Sequence, residues 1–418
     1  MVKSVIIVGA GFAGLHAAKA LANRRGIRVV LIDRRNHHLF QPLLYQVATA
    51  GLNPSDIAVP IRVQFRRAPN VEVHLGRVDG VNLDRQVVFG EGHELPFNYL
   101  ILACGATHSY FGHPEWEEHA PGLKTLEQAT EIRRRMLVAF ERAENELDPD
   151  KQRAYLTFVV VGGGPTGVEL AGAIADISRT AMRGDFRRID PARSHIVLLE
   201  AAPRVLTTFS EELSERARRD LVELGVDVRT GAKVDAIDAD GVTMASGRLP
   251  ARTVFWAAGV QAERIQMTPP LAADRASRIE VNTDLSVPGH PNVFVAGDMA
   301  SFEMAPGQML PGVAQAAIQS GEHAAAMILR DLAGDPRQPF VYRDKGSMAT
   351  IGKSRAVAQI GRVSLTGRIA WFFWLIVHVY SLIGFRNRLA VLFNWAWNYL
   401  FSRREARLII DKEWKLRN

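Results

Sequence analysis

Short apolar runs alternate with longer amphipathic stretches along most of the chain. The run at residues 5–8 leads into a glycine-rich turn, and the run at residues 29–33 ends in an acid. Apolar runs of this length bounded by turns are typical of buried strands, and the stretches between them are long enough for helices. The pattern therefore predicts an α/β chain built on parallel sheets.

The same order of elements occurs twice. The first copy comprises the apolar strand, the turn at 9–14, the acid-ended strand, and later strands within 70–76 and 99–106. The second copy comprises, in the same order, residues 158–161, 162–167, 196–200, 225–231 and 253–260. Each copy is typical of a βαβ unit followed by a small β-meander, so the repeat predicts two Rossmann-like dinucleotide-binding domains.

The glycine turn of the first copy has the spacing of a phosphate-binding loop. Gly9 suits a tight turn, Gly11 lets the backbone approach a pyrophosphate, and Gly14 lets helix and strand pack closely. The amides at the start of the following helix favour an anion. Asp33 comes 19 residues after Gly14 (33 − 14), where a carboxylate can accept hydrogen bonds from a ribose. Together these features predict a bound dinucleotide.

The second copy repeats the glycine turn, but its acid, Glu200, comes 33 residues after Gly167 (200 − 167). The Arg-rich stretch 180–193 accounts for the excess as an insertion between helix and strand. Ribose recognition by Glu200 is the functional interpretation, and an ordinary strand-end carboxylate is the alternative. A carboxylate there would repel a 2′-phosphate and so favours NADH over NADPH, whereas the nearby Arg204 would act in the opposite direction.

A third motif indicates which copy holds a flavin. Residues 292–298 form an apolar strand that runs into Gly297 and Asp298, where the chain would return to the first domain. An aspartate in this position can bind the ribityl hydroxyls of FAD. Because Gly-Asp is also common in turns, a plain β-turn is the alternative.

Composition limits the classes of function that remain. The chain has 418 residues, 47% of them apolar, which suffices for two or three globular domains and excludes a disordered chain. Its one cysteine, Cys104, excludes a disulfide scaffold, a thiolate zinc site and an internal redox pair, and we expect a small buried side chain there. Residues 1–3 pass directly into the first strand, so we expect no signal peptide and a cytoplasm-facing protein.

Most of the net charge lies in the C-terminal segment. Residues 368–418 carry nine Lys/Arg and three acids, which is +6 of the overall +7, together with five of the seven tryptophans. The basic residues are interleaved with bulky apolar ones and form no stripe, so we expect no nucleic-acid partner. Basic, aromatic and apolar residues in combination favour an anionic membrane surface.

The uncharged run 369–385 is the apolar part of this segment. Its 17 residues would form a helix of about 25 Å, which is shorter than a hydrocarbon core of about 30 Å. A second amphipathic stretch follows at 389–401, and Arg403 and Arg404 come after it. Two short helices with basic edges predict a monotopic anchor, and a spanning hairpin is the alternative.

Longer motifs resemble the type II NADH dehydrogenases, which are single-chain, non-proton-pumping NADH:quinone oxidoreductases among the flavoproteins with two dinucleotide-binding domains. The resemblance covers essentially the whole chain. It rests on residues 38–49, 161–172, 295–298 and 314–319, and on the Trp-rich run 371–386. It implies FAD in the first domain, NADH in the second, and a membrane quinone as the electron acceptor in a two-step reaction.

The motifs and the resemblance together predict the site residues. The predicted FAD contacts are Gly9, Ala10, Gly11, Phe12, Ala13, Gly14, Asp33, Arg34, Gln41, Val78, Gly105, Gly297, Asp298, Ala314 and Gln315. The predicted NADH contacts are Gly162, Gly164, Gly167, Glu200 and Gly259. The candidate catalytic residues are Glu169, Gln315, Gln319 and Lys353, and no metal site is expected.

Each candidate catalytic residue has a structural alternative. Gln315 and Gln319 are four residues apart and share one helix face, where the resemblance implies a quinone site; two surface glutamines are the alternative. Glu169 is either an acid favoured by the helix dipole or, as the resemblance implies, a carboxylate near the flavin. Lys353 is interpreted either as a residue near the flavin or the quinone or as a solvated loop lysine. His378 is interpreted either as a proton donor or as a packed histidine.

The predicted organisation has three parts. Residues 1–115 and 273–330 are expected to bind FAD, 116–272 to bind NADH, and 331–418 to associate with a membrane. The predicted partners are a membrane quinone, an anionic membrane surface and a second copy of the chain, at the cytoplasmic face of the cell membrane. Two other functions stay open: a soluble NADH-dependent flavin reductase for ferredoxin-type or rubredoxin-type acceptors, and a flavin-binding redox sensor or partner-binding protein.

Overall fold

The computed structural model describes residues 2–401 and 407–410. The tail residues Arg403, Arg404, Glu405, Asp411, Lys412, Glu413, Trp414, Lys415 and Arg417, which contribute to the predicted basic anchor, lie outside the described residues. Contacts divide the chain into two compact units. Unit 1 comprises Met1–Leu39, Ala58–Thr107 and Val260–Lys345, and unit 2 comprises Phe40–Ile57, His108–Gly259 and Gly346–Asn418. The division into FAD-binding, NADH-binding and membrane-associated parts stays a prediction.

The strands and helices follow one another in short segments. The strands are β1 (Lys3–Val8), β2 (Ile27–Asp33), β3 (His37–Leu39), β4 (Ala58–Pro60), β5 (Val71–Leu75), β6 (Gly80–Asn82), β7 (Val87–Gly90), β8 (His93–Pro96), β9 (Tyr99–Leu102), β10 (Ala106–His108), β11 (Thr157–Val161), β12 (His195–Glu200), β13 (Val226–Thr230), β14 (Val234–Asp238), β15 (Gly241–Met244), β16 (Gly247–Pro250), β17 (Thr253–Trp256), β18 (Val260–Ala262), β19 (Gln266–Thr268), β20 (Ile279–Glu280), β21 (Ser286–Val287), β22 (His290–Val295), β23 (Ala300–Ser301), β24 (Glu303–Ala305), β25 (Gln308–Met309), β26 (Ser347–Ile351), β27 (Arg355–Ile360) and β28 (Val363–Thr366). The helices are α1 (Phe12–Leu21), α2 (Leu44–Ala48), α3 (Pro54–Ile57), α4 (Ile61–Gln64), α5 (Trp116–His119), α6 (Leu126–Asn145), α7 (Pro149–Tyr155), α8 (Pro165–Arg179), α9 (Glu211–Glu223), α10 (Ala314–Ala333), α11 (Gly367–Ser381) and α12 (Phe385–Phe401), and 3₁₀ turns span Gln41–Leu43, Pro191–Arg193 and Gly297–Met299.

Unit 1 is built on a six-stranded sheet in the order β21-β22-β9-β1-β2-β5. All neighbours are parallel except β21, which pairs antiparallel with β22 at one edge. The central strands are almost wholly apolar because helices and the meander β6-β7-β8 cover both faces of a parallel sheet. The parallel order brings the carboxyl ends of β1, β2 and β22 to the same edge, which is where a ligand binds in such folds.

Two helices of unit 1 pack unusually closely at this edge. A Cβ on Gly321 of α10 would lie 2.1 Å from the carbonyl oxygen of Ala13 in α1. Such a distance is far inside van der Waals contact, so only glycine fits. The close packing sets the start of α10 beside the glycine turn that precedes α1.

Unit 2 repeats this plan with a four-stranded parallel sheet in the order β13-β12-β11-β17. A three-stranded antiparallel meander, β14-β15-β16, accompanies it, as β6-β7-β8 does in unit 1. The prediction of an α/β chain with a duplicated unit is therefore confirmed. The predicted insertion, 180–193, consists of turns and the short 3₁₀ segment Pro191–Arg193.

The end of unit 2 is a small sheet, β26-β27-β28, followed by α11 and α12. One side of α11 is buried and carries Ala370 and Trp374, and Trp374 is only 2% exposed. The other side exposes a row of large apolar side chains, namely Ile369, Phe372, Phe373, Ile376, Val377 and Tyr380. Within the described part of the chain, none of the helices combines the length and the apolar character needed to cross a bilayer.

Candidate functional site

The glycine turn of unit 1 is closed by the acid at the end of β2. The backbone N–H of Ala10 donates to Asp33 Oδ2 at 2.6 Å, and Arg35 N–H donates to Asp33 Oδ1 at 2.7 Å. Gly9 has φ +99°, and a Cβ on Gly14 would lie 1.8 Å from the Gly9 carbonyl oxygen. The predicted roles of both glycines, in the tight turn and in helix packing, match this geometry.

The second glycine of this turn faces open space. A Cβ on Gly11 would meet nothing within 4 Å, and Gly11 is the N-cap of α1. Backbone amides at an uncovered helix N-terminus are the donors that a pyrophosphate needs. The turn therefore fits a dinucleotide, with Asp33 beside it to accept hydrogen bonds from a ribose.

His38 is a part of this turn that sequence reasoning did not assign to the site. Its Nδ1 lies 2.9 Å from the Ala10 carbonyl oxygen, and its ring meets Phe12 edge-on at 5.1 Å between centroids. Burial lowers the pKa of His38 to about 4, so the ring is neutral and its Nδ1–H is the donor to Ala10. The histidine starts the longer motif 38–49, but only the fold brings it to the turn.

The third predicted motif reaches the same edge of unit 1. Gly297 has φ +70°, its N–H donates to Ser320 Oγ at 2.9 Å, and a Cβ there would lie 3.3 Å from the Cβ atoms of Ala13 and Ala317. Asp298 therefore lies where the first turns of α1 and α10 meet. Unit 1 thus brings together the glycine turn, the acid and the Gly-Asp motif, as the sequence predicts for an FAD site.

Other predicted FAD contacts are more widely placed. Arg34 forms an ion pair with Glu263 at 3.0 Å, and Val78 packs on the apolar core under the sheet. Ala314 is the first residue of α10. Gln41 belongs to unit 2, where its Nε2 donates to the Lys124 carbonyl oxygen at 3.2 Å. Its contact with FAD stays a prediction.

The glycine turn of unit 2 has the same construction as that of unit 1. Gly163 N–H donates to Glu200 Oε2 at 2.5 Å, and Ala202 N–H donates to Glu200 Oε1 at 2.7 Å. A Cβ on Gly167 would lie 1.8 Å from the Gly162 carbonyl oxygen, which is the same distance as between Gly14 and Gly9. Although the insertion moves Glu200 further along the sequence, its carboxylate closes the second glycine turn in the same way as Asp33 closes the first.

Further glycines follow the repeat. Gly105 and Gly259 each lie three residues after the end of the matching strands β9 and β17, and they have φ +74° and +76°. Gly164 is the N-cap of α8, as Gly11 is of α1, and a Cβ on it would also meet nothing within 4 Å. The second turn therefore fits a dinucleotide as well as the first.

The guanidinium of Arg204 bonds to the backbone of the loop that follows β12. It donates to the carbonyl oxygens of Leu206, Thr207 and Phe209, at 3.3, 2.9 and 2.9 Å. A guanidinium that satisfies three carbonyls is already committed to the loop after β12. The opposing influences of Glu200 and Arg204 on nucleotide choice stay a prediction.

Among the described carboxyl groups of unit 2, Glu169 has the pKa that departs furthest from its ordinary value. It is half-buried on α8, and burial of the carboxyl raises its pKa to about 8. Two hydrogen bonds from Thr350, one from its backbone N–H at 3.3 Å and one from its hydroxyl, oppose that rise. A carboxyl that keeps its proton at neutral pH can act as a general acid.

Gln315 and Gln319 share one face of α10, as predicted, and both contact the segment that leaves unit 1. Gln319 pairs with the backbone of Arg343 through two hydrogen bonds, Nε2 to the carbonyl oxygen at 3.0 Å and N–H to Oε1 at 2.9 Å. Gln315 Oε1 accepts from Lys345 N–H at 3.1 Å. The two glutamines therefore fasten the segment 343–345 to the helix.

The remaining candidates have contacts of their own. Lys353 lies in the turn between β26 and β27, half-buried. His378 donates to the Trp374 carbonyl oxygen at 2.7 Å and stacks on that indole, and burial lowers its pKa to about 4, which favours the packed histidine. Cys104 is half-buried rather than fully buried as predicted, and desolvation of its thiol raises its pKa to about 12. The described residues contain no cluster of potential metal ligands.

Gln315 and Gln319 lie in unit 1, whereas Glu169 and Lys353 lie in unit 2. Each unit thus carries its own pair of candidate catalytic residues. Their joint action in a reaction stays a prediction.

Two protein families match the sequence. Residues 3–321 match the family described as pyridine nucleotide-disulphide oxidoreductase, and residues 345–404 match the family described as NDH2 C-terminal domain. The two matches together cover both the nucleotide-binding units and the helical end of the chain.

Named proteins resemble the chain over nearly its full length. It is 45% identical to the type II NADH:quinone oxidoreductase Ndh of Mycobacterium tuberculosis, over 98% of this chain and 90% of that protein. It is 29% identical to a mitochondrial internal alternative NAD(P)H-ubiquinone oxidoreductase of Arabidopsis thaliana, over 97% and 85% of the two chains. The fold is similar to that of NDH2 from Plasmodium falciparum solved with NADH, with a TM-score of 0.87, 20% identity, and coverage of 98% and 100%.

Proposed function

The chain belongs to the type II NADH:quinone oxidoreductases, and from this membership we propose how its own residues serve the reaction. The enzyme is an NADH:quinone oxidoreductase, and FAD bound to it would supply the chemistry that passes two electrons from NADH to a quinone. The matched turns carry the proposal, because Asp33 closes the first and Glu200 closes the second in the same geometry.

We assign FAD to unit 1. The amides of the Gly9–Gly14 turn would hold the pyrophosphate, and Asp33 would accept hydrogen bonds from the ribose. Asp298, in the 3₁₀ turn Gly297–Met299, would bind the ribityl chain. Neutral His38 supports the turn from behind by its hydrogen bond to Ala10, so that the turn keeps its shape whether or not the nucleotide is bound.

We assign NADH to unit 2, with Glu200 as the residue that selects NADH over NADPH. Its two oxygens accept from Gly163 and Ala202, which orients the carboxylate beside the turn. A 2′-phosphate there would bring a second negative charge against the carboxylate, and the guanidinium of Arg204 is bonded to three backbone carbonyls.

We propose Glu169 as the group that holds a proton for the quinone. Its raised pKa keeps the carboxyl protonated at neutral pH, and the hydrogen bonds from Thr350 fix one of its oxygens. Lys353, in the turn that follows β26, is proposed to contribute positive charge to the same reaction.

We propose that Gln315 and Gln319 border the quinone site. Both side chains fasten the segment 343–345 to α10, so that the amides and the backbone of that segment are held in one arrangement. In this proposal the glutamines act by ordering the site as well as by contact with the quinone ring.

We propose that α11 and α12 bind the surface of a membrane. The exposed row on α11 is a continuous apolar face opposite buried Trp374, and such a face is typical of an amphipathic helix lying in the interfacial region. The charge of the segment 368–418 would draw it to anionic lipid. A monotopic enzyme at the cytoplasmic face, working as a homodimer, is the form that we propose.

Steady-state oxidation of NADH with a short-chain quinone tests the function directly. We expect quinone-dependent turnover by the yellow, FAD-loaded protein. Turnover with ferredoxin or rubredoxin but not with quinone would contradict it in favour of a soluble reductase, and reduction of the flavin without turnover would favour a sensor.

A further inference from the structure

Phe111 of unit 2 combines two features that are unfavourable for a large apolar residue. Its backbone has φ +52°, in the left-handed region that bulky residues rarely adopt, and the residue is 66% exposed. A strained backbone persists only where the surrounding structure enforces it, and such residues concentrate at binding and active sites. The exposed ring is therefore a candidate for contact with a ligand.

The residues that precede Phe111 are firmly held. The carbonyl oxygen of Ser109 accepts from Trp256 Nε1 at 3.0 Å. Tyr110 is buried, and its hydroxyl donates to the carbonyl oxygen of Ala120 at 2.9 Å. These contacts fix the backbone on which the strained residue is carried, and so they fix the direction in which its ring leaves the chain.

The ring of Phe111 covers Gly259, which follows β17. A Cβ on Gly259 would lie 2.5 Å from Phe111 Cζ and 3.1 Å from each of its Cε atoms, so the tip of the ring fills the space of a side chain there. The ring of Trp256 lies at 61° to that of Phe111, with 6.0 Å between centroids, and so does not stack on its face. The exposed part of the Phe111 ring is therefore available to a flat ligand.

The first copy of the repeat lacks such a cover. Gly105 occupies the matching position after β9, with φ +74° against +76° for Gly259. A Cβ on Gly105 would meet nothing within 4 Å. The conformation of the glycine is therefore common to both copies, whereas the ring over it is a feature of the second copy alone.

Gly259 lies at the edge of the unit 2 sheet where the glycine turn is found. A Cβ on Gly162 would lie 2.6 Å from the carbonyl carbon of Ala257 and from the nitrogen of Ala258, and a Cβ on Gly167 would lie 3.4 Å from Ala257 Cβ. The residues between β17 and Gly259 therefore pack against the turn. The carboxyl ends of parallel strands form the edge at which dinucleotides bind.

The order of the strands indicates which half of NADH reaches Phe111. β11 leads into the glycine turn, and it lies between β12 and β17 and pairs parallel with both. Glu200 ends β12 on one side of the turn, and Gly259 follows β17 on the other side. A dinucleotide whose pyrophosphate rests on the turn and whose adenosine ribose meets Glu200 must extend its nicotinamide half over the end of β17.

We propose that Phe111 is a further NADH-binding residue, whose ring forms an apolar platform for the nicotinamide half of the dinucleotide. The proposal rests on the proposed assignment of NADH to unit 2. A flat heteroaromatic ring packs favourably against an aromatic side chain, and the contact removes apolar surface of both from water. The platform acts on the nicotinamide half alone, because the turn and Glu200 hold the adenosine half on the other side of β11.

Calorimetric titration of the full-length, oxidised, FAD-loaded protein with NAD⁺ and with ADP-ribose tests this proposal. The two ligands share the adenosine and the pyrophosphate, only NAD⁺ carries a nicotinamide, and neither reduces the flavin. In Phe111→Ala we expect the Kd for NAD⁺ to rise about five- to tenfold, because the platform is lost. The Kd for ADP-ribose should stay at its wild-type value.

Three further variants separate the ring from the fold. Phe111→Asn deletes the ring but suits the left-handed backbone, so it should fold as the wild type does and bind NAD⁺ as weakly as Phe111→Ala. Phe111→Tyr keeps the ring and should bind NAD⁺ as the wild type does. Leu147→Ala is the matched control, because it removes an exposed apolar side chain elsewhere in unit 2 and should change neither Kd.

An unchanged Kd for NAD⁺ in Phe111→Ala and Phe111→Asn overturns the proposal. Tighter binding of NAD⁺ in these variants also overturns it, because the ring would then occupy the place of the nicotinamide. An equal rise in the Kd of both ligands overturns it as well, since the ring would then support the shape of the glycine turn.

Failure of the assignment of NADH to unit 2 gives a different result. With NADH in unit 2, Glu200→Ala weakens the binding of NAD⁺ and of ADP-ribose alike, whatever the Phe111 variants do. If the assignment is wrong, Glu200→Ala leaves both Kd values unchanged.

Discussion

Gly163 donates its backbone N–H to Glu200, and the side chain of that glutamate fills the space where a Cβ on Gly163 would be. Such a Cβ would lie 2.9 Å from both Cβ and Oε2 of Glu200. In the first copy of the repeat, Ala10 occupies the matching position and donates to Asp33, which is shorter by one methylene. The choice of glycine or alanine within the turn therefore follows the length of the acid.

Gly163→Ala should weaken NADH binding because the added Cβ would clash with the Glu200 side chain. Gly163 is not among the positive-φ residues, so its backbone conformation would accept alanine, and the clash with Glu200 is the cost. We expect KM for NADH to rise about tenfold, equivalent to ~1.4 kcal/mol, with FAD content unchanged. Steady-state kinetics and the flavin absorbance measure the two quantities.

The double variant Gly163→Ala/Glu200→Asp should recover part of the loss, because it reproduces the Ala10–Asp33 pair of the first copy. Ala10→Gly is the matched control in unit 1, and it should leave KM for NADH unchanged. Additive effects of the two unit 2 substitutions would contradict the steric explanation.

Glu200→Gln should relax the choice between NADH and NADPH. The substitution removes the charge that repels a 2′-phosphate, while Arg204 stays bonded to its three carbonyls and offers little new attraction. We expect the ratio of kcat/KM for NADPH to that for NADH to rise by about tenfold, without a full reversal of preference. An unchanged ratio would mean that nucleotide choice lies with other residues.

Quinone reduction should fall as the pH rises through the pKa of Glu169. Burial raises that pKa from 4.5 to about 8, so the carboxyl is protonated at neutral pH and ionises above it. We expect kcat with a short-chain quinone to decline above about pH 8 and to be at least about tenfold lower in Glu169→Gln, with that decline absent. A wild-type pH profile in Glu169→Gln would exclude the carboxyl as the acid.

The same pKa shift affects folding in a defined direction. Because the folded protein binds the proton more tightly than the unfolded chain, the stability that this proton contributes is fully present below about pH 4.5 and is lost as the pH rises through about 8. Thermal unfolding of Glu169→Gln should accordingly show a smaller loss of stability between these values than the wild type.

Gln319→Leu should slow the quinone-dependent half of the reaction and spare the NADH-dependent half. The substitution deletes both hydrogen bonds to the Arg343 backbone, each worth about 1 kcal/mol, and so loosens the segment 343–345 on α10. Gln315→Leu should act in the same direction with a smaller effect, since one bond to Lys345 is deleted. Stopped-flow measurement of each half-reaction separates the two steps.

Gln308→Leu, an exposed glutamine on β25 of the same unit, is the control for a change of polarity. Traces in which only the NADH-dependent half slows would refute the assignment of Gln315 and Gln319. Equal slowing of both halves would indicate a general loss of structure.

Local patterns predicted those features that depend on residues close in sequence. The glycine turns, Asp33 and the strands of both copies are found where spacing and periodicity placed them, because each depends on one βαβ unit. Glu200 ends β12 and closes the second glycine turn despite the insertion, as its matching position in the repeat indicated; its contact with NADH stays a prediction. These are the parts of the fold that backbone geometry alone determines.

Long-range contacts account for what the sequence could not predict. The bond from His38 to the Ala10 carbonyl depends on how the chain after β2 returns to the glycine turn. The hydrogen bonds from Trp395 of α12 to Gln46 and from Thr350 of β26 to Tyr45 join α2 to elements that are far from it in sequence. No spacing rule relates such positions, so a single sequence contains no signal for them.

Replacing the exposed apolar residues of α11 should abolish binding to anionic membranes without unfolding the protein. Phe372 and Ile376 are on the face opposite Trp374 and are 56% and 47% exposed. Removing residues 369–418 altogether would instead uncover Ala358, against which Ala370 packs, and would favour aggregation. The double variant Phe372→Glu/Ile376→Glu is therefore the sharper test.

The expected loss of membrane binding has two causes, the loss of apolar burial and the addition of negative charge. Each large apolar side chain contributes about 1.5–3 kcal/mol when it is buried, and the new carboxylates are repelled by anionic lipid. Sedimentation with anionic liposomes at low and high salt measures binding. Ferricyanide reduction and FAD content should be retained, while activity with long-chain quinones falls. Leu147→Glu is the matched control, since Leu147 is 78% exposed elsewhere in unit 2, and pelleting of the α11 variant equal to that of this control would remove the anchor.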